Sequence, residues 1–97
     1  MEEKVIILSA DAWRFTDEKT GELKTGCSCF YVSTQDLTKP KFNSDTSFGY
    51  KPLKASMPED FISIIKQAGG VPLKATAKYI MRVSNGQQVL KVDEFII

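Results

Sequence analysis

The chain contains no histidine. That removes the side chain most often used as a general base and metal ligand near neutral pH. Cysteine is scarce too: Cys27 and Cys29 stand alone in a C-x-C spacing. Without a further Cys or any His they do not complete a zinc site. A disulfide between residues two apart is strained and rare. Both are therefore read as reduced core residues sharing one strand face. No apolar run approaches the ~20 residues of a membrane span. The start, Met-Glu-Glu-Lys before Val-Ile-Ile-Leu, is acidic and its apolar run is short. It does not fit a secretory signal, so the expected compartment is the cytoplasm. Gly-rich phosphate loops, G-x-S-x-G elbows and H-E-x-x-H motifs are absent. The adjacent acids Asp17-Glu18, Glu59-Asp60 and Asp93-Glu94 read as solvated loop and helix-start charges. Catalysis, a cofactor and a metal are not expected.

At 97 residues there is room for one domain with one core. The formal net charge of +1 hides an asymmetry. Residues 1–36 carry four basic and seven acidic side chains, residues 37–82 eight and three, and the last fifteen one and two. The basic middle can set up a local positive potential that recruits anions. The plain alternative is that solubilising lysines fell there.

The last quarter has the clearest pattern. Leu73, Ala75, Ala77, Tyr79, Met81 and Val83 alternate with Lys74, Thr76, Lys78, Ile80 and Arg82. This is a half-buried strand with one apolar and one largely basic face. Asn85-Gly86 then signals a type I′ hairpin turn. The return strand, 88–97, places Leu90, Val92 and Ile96 on one parity. At the other end, residues 4–15 read as a long first strand whose middle, Ser9-Ala10-Asp11-Ala12, suggests a bulge or bend. A polar hairpin loop over 16–26 and a second strand over 27–34 follow, then an irregular connection over 35–45. A third strand is expected over 47–57, interrupted at or made an edge by Pro52. Pro58-Glu59-Asp60 opens a helix over 59–68, which Gly69-Gly70 ends.

The order β-β-β-α-β-β with one short helix argues for a small barrel closed at one end by that helix. It is the element order of the five-stranded OB-fold, whose long first strand bends to pair in two sheets. An SH3-like barrel has no real helix at this position, and a ferredoxin-like fold needs two.

Basic side chains interleaved with rings are what single-stranded nucleic acid requires, phosphates tracking the charges and bases stacking on the rings. Candidates are Trp13, Arg14 and Phe15 on the first strand and Tyr31 on the second. Lys39, Lys41, Phe42, Phe48, Tyr50, Lys51 and Lys54 follow in the loop and third strand, and Lys74, Lys78 and Arg82 line the fourth. Each ring has the alternative of filling the core. Phe30 and Phe61 are assigned to the core, and Tyr79 shares the core parity.

The long bent first strand, the polar loop ending at Gly26, the Cys-Phe-Tyr-Val strand, the Lys/aromatic middle and the Asn85-Gly86 hairpin carry a resemblance. The chain resembles the small single-stranded DNA-binding (helix-destabilising) proteins of bacteriophages and mobile elements, which are built on OB-like barrels. The resemblance spans nearly the whole chain through element order and rests on no short motif. It implies a DNA-replication context and single-stranded DNA or RNA as partner, with no membrane and with a homodimer allowed. The near-neutral charge and the ending Phe95-Ile96-Ile97, which is not an acidic tail, depart from it, so recruitment through such a tail is not expected. The rival reading is a small β-barrel protein-interaction module that binds no nucleic acid. The first reading needs Lys74, Lys78 and Arg82 near Lys39–Lys54; the second needs an exposed apolar patch instead.

Overall fold

The first strand sets the frame. In a computed structural model describing residues 1–97, β1 spans Glu2–Thr16, followed by β2 (Leu23–Val32), β3 (Phe42–Ser44), β4 (Ser47–Phe48) and β5 (Leu53–Met57). The helix α1 (Phe61–Gln67), β6 (Leu73–Ser84) and β7 (Gln87–Ile96) complete the chain. Glu2–Ile7 of β1 pairs with β6, while Ile6–Thr16 pairs with β2. One long strand thus serves two partners, which lets a short chain build an antiparallel five-stranded sheet in the order β5-β2-β1-β6-β7. The edge strands β5 and β7 approach each other, yet no ladder joins them. A slot lined by Lys54–Ser56 and Leu90–Val92 lies between them.

The expected irregularity in β1 is a bulge. The register with β2 shifts between Ile7 and Ser9, leaving Leu8 without an opposite residue. Side chains alternate along a strand, so the extra residue reverses which parity faces inward. Val5 and Ile7 enter the core before it, and Ala10 packs against the core after it. A second shift, between Lys78 and Tyr79 on β6, leaves out Asp93 of β7. The inward parity of β7 therefore passes from Val92 to Phe95, and Ile96, expected inside, is exposed.

Twelve buried residues form the core, among them Val5, Ile7, Cys27, Cys29, Tyr31, Met57 and Phe95. Phe61 and Ile65, one turn apart, bring α1 onto it. The helix is shorter than expected because Phe61, Ile62 and Ser63 donate to Pro58, Glu59 and Asp60, an i→i+3 turn in place of a first α-turn. Its end is a Schellman motif: Gly69 N–H bonds Lys66 O, Gly70 N–H bonds Ile65 O, and Gly69 has φ 99°.

The expected third strand is two elements. Ser47–Phe48 pairs with Phe42–Ser44 as a separate two-stranded flap, and β5 begins only at Leu53. Gly49 at φ 97° and Pro52, which has no N–H to donate, fall in the break. The Asn85-Gly86 turn forms as the sequence predicts, with φ 52° and 77°. The radius of gyration, 15.5 Å, exceeds the ~13 Å of a compact chain of this length. The excess lies in the flap and in hairpins that reach past the core; Met81, Val83 and Leu90 keep the predicted parity but are exposed. No helix is long and apolar enough to cross a membrane.

Candidate nucleic-acid interface

Directly opposed residues of an antiparallel ladder share a face. The registers therefore define the outer surface of the β1–β2–β5 wing row by row. Phe15 faces Lys24, Trp13 faces Gly26, Asp11 faces Ser28 and Ser56, and Ser9 faces Phe30 and Lys54. The Trp13 and Phe15 rings stack, with centroids 5.6 Å apart and planes at 23°. Both rings are exposed, as is Phe30 two rows away. Gly26 is what lets the indole lie down: a β-carbon there would sit 2.4 Å from the ring. Two acids bear on this surface: Asp11 in its third row, and Asp17, whose Oδ2 lies 3.5 Å from Lys24 Nζ.

The flap continues from the Val32 end of β2 to the Leu53 start of β5. Phe42 and Phe48 oppose each other across it in an edge-to-face pair, centroids 5.5 Å apart, and both are exposed. Asn43 Nδ2 donates to Gly49 O at 2.9 Å and closes the loop. Below the rings, Lys41, Lys51, Asn43, Gly49, Tyr50 and Ser33 line a notch of about 170 Å³ with Val32. The Tyr50 hydroxyl lies 3.1 Å from Lys39 O and 3.3 Å from Asp36 O, so this ring clasps the loop and is only partly exposed. Gln35 Nε2 donates to Ala75 O at 3.1 Å and ties the loop to β6. The Asp36 carboxyl is held below its ordinary range, first by the Thr38 hydroxyl, then by the Thr38 N–H, with Lys39 and Lys74 adding. Lys74 and Lys39 thus share one neighbourhood, as the nucleic-acid reading requires.

The rest of the β6 row does not join them. Lys74, Lys78 and Arg82 do share the outward parity. However, Lys78 faces Glu2 on one side and pairs with Glu94 on the other, Nζ–Oε1 3.4 Å. Arg82 stands opposite Val89 on the projecting hairpin. Acids from both neighbouring strands break this row, so it is not a continuous positive groove.

Three residues lie elsewhere than the sequence suggests. Arg14 has the opposite parity to Trp13 and turns to α1, where Nε and Nη2 reach Glu59 Oε1 at 2.8 and 2.7 Å. Tyr31 is buried, edge-on to Phe95, and belongs to the core. Phe30, assigned to the core, is outside. The signal for Phe30 was present: Cys27, Cys29 and Tyr31 alternate with Ser28 and Phe30, so one of the two sets must face out. Lys24 and Gly26 gave no signal in a stretch read as loop, because only the register places them beside Phe15 and Trp13.

Tyr79 lies on the core face as predicted. Its hydroxyl donates to Glu3 Oε1 at 2.9 Å and lies 3.1 Å from the Tyr31 hydroxyl. Burial, then the Tyr31 and Glu3 hydrogen bonds, push its pKa up. Cys27 and Cys29 are free and buried, with Sγ atoms 3.8 Å apart. Burial raises both thiols, Cys29 to about 12 with the Cys27 charge adding. No group of three His, Cys, Asp or Glu side chains is placed to hold a metal ion. Compared with protein-family models, curated proteins and solved structures, the chain matches none.

Proposed function

We propose that this chain binds single-stranded nucleic acid, without sequence preference, on the outer face of β1–β2–β5 and along the flap. The observation that carries the reading is the exposed Trp13–Phe15 stack, which shares one face with Phe30, Lys24 and Lys54. Rows on that face are two residues apart, about 6.6–6.8 Å, comparable with the nucleotide spacing of an extended strand. Rings at such intervals accept any base, since every base has a π-face. Lysines beside them take the phosphates. Ser28 and Ser56 supply hydroxyls between the rings, and the flap adds Phe42, Phe48, Lys41 and Lys51. The strand order β5-β2-β1-β6-β7 is that of an OB barrel opened between its third and fifth principal strands, which supports an OB-like reading of the fold. The same reading includes the likeness to helix-destabilising proteins of phages and mobile elements.

Trp13 is the only tryptophan and is its own reporter. Oligothymidylate should quench its emission saturably at about 20 mM salt and bind more weakly at about 200 mM. No binding at the lower salt sinks the proposal. The same exposed rings would then serve a protein partner, and a small β-barrel interaction module becomes the reading.

A further inference from the structure

The two ends of β5 carry opposite chemistry. At its start lies the flap, with exposed Phe42 and Phe48 and with Lys39, Lys41 and Lys51, none of which has an ion-pair partner. At its end the chain turns into α1, and a notch of about 200 Å³ opens between the helix and β7. Met57, Phe61 and Phe95 form the floor of this notch. Ile64, on the flank of the helix, is 45% exposed beside it. Asp60, Asp93 and Glu94 stand on the rim, and of these only Glu94 has a cation, Lys78. An apolar cavity of about 150 Å³ accepts benzene, so this notch has room for one phenyl ring.

An apolar seat rimmed by unneutralised carboxylates calls for a ring flanked by cations. The flap presents that combination. The flap of the same molecule sits at the far end of β5, so the occupant has to come from a second copy. We infer that copies of this chain associate head to tail. A flap ring of one enters the notch of the next, and Lys41 and Lys51 face Asp60 and Asp93 across the contact. Donor and acceptor surfaces differ, so the contact is heterologous and grows open chains instead of closing as a two-fold dimer. One flap in one notch is a small interface, so the association is weak and salt-sensitive. The inference does not depend on nucleic-acid binding, and its assay contains none.

Sedimentation velocity at rising protein concentration and low salt tests it. Wild-type protein should move from the 10.8 kDa monomer to species larger than a dimer and return to monomer at high salt. Lys41→Glu with Lys51→Glu disables the flap; Asp60→Lys with Asp93→Lys disables the notch. Each variant alone should stay monomeric, with circular dichroism confirming its fold. An equimolar mixture should associate again as alternating chains, since the native flap fits the native notch and the reversed flap fits the reversed notch. A chain carrying all four changes should associate again. A wild-type protein that is monomeric throughout overturns the inference. So does association unchanged in either variant, or a mixture that stays monomeric.

Discussion

Trp13 and Gly26 face each other across the β1–β2 ladder, and the indole occupies the space a side chain at position 26 would need. Gly26 is buried although Glu22–Thr25 before it are exposed, and the atoms nearest the place of its missing side chain are those of this ring. The missing side chain creates the seat on which the ring lies.

Gly26→Ala should therefore displace the indole from Phe15 and leave the fold intact, because the ring already borders solvent. Loss of the stack costs about 0.5–1.5 kcal/mol. Trp13 emission should shift to the red. Oligonucleotide affinity should fall by about 1–3 kcal/mol, the worth of one stacked base, with the salt dependence kept. Unchanged emission would mean that the ring does not depend on the glycine.

Charge changes should separate the two basic surfaces. Lys54→Ala should lower the slope of log affinity against log salt by about 0.7, and Lys24→Ala by less, since Asp17 Oδ2 lies 3.5 Å from its Nζ. Lys78→Ala should barely change it, because Glu94 and Glu2 already neutralise that side chain. A larger effect at Lys78 than at Lys54 would move the interface to β6.

The thiols make the fold sensitive to alkali. Cys29 ionises near 9.0 when unfolded and near 12 when buried, so above 9 the folded state holds a proton that the unfolded state has lost. Its contribution is complete below pH 9 and is lost as pH rises toward 12. Within that window stability should fall by about 1.4 kcal/mol per pH unit from this group alone. Cys27 and Tyr79, also raised, act in the same direction. Urea midpoints across this range should fall steeply, and Cys29→Ser should flatten the fall. Thiol reagents at pH 8 should find no reactive group until the protein is unfolded, and then count two.

Tyr79→Phe keeps the ring and removes the hydroxyl that joins Glu3 to Tyr31. It leaves the buried Tyr31 hydroxyl without this partner, at a cost of about 1–3 kcal/mol. Tyr31→Phe leaves the Tyr79–Glu3 bond in place and should cost less. Denaturant unfolding of the two variants orders them; the reverse order would place the main bond elsewhere.

Much of the architecture is legible because it is local. The alternation of Leu73 to Val83 sets the inward parity of β6, Asn85-Gly86 sets its turn, and Pro52 marks a break. What is not legible depends on partners distant in sequence. A bulge in the middle of β1 is legible from Ser9–Ala12, but its place at Leu8, where β1 passes from two partners to one, is set by the registers with β2 and β6. Arg14 reads as a companion of Trp13 until that bulge and a glutamate 45 residues away turn it to the helix. The cations of β6 are visible as a row, but the acids that neutralise them come from β1 and β7 through register. The site suffers more than the fold for this reason: a face is a property of several strands, whereas a turn belongs to one stretch of chain.

Leu8 has no opposite residue on β2, yet everything beyond it depends on its being there. Deleting one residue at this point would turn over the far half of β1. Trp13 and Phe15 would swing toward Cys27 and Met57, and Ala10, Ala12 and Arg14 would take the surface. No point substitution can do this, since each alters one side chain and keeps the direction of all the others. At Leu8, chain length and not residue identity is what selection has to hold constant.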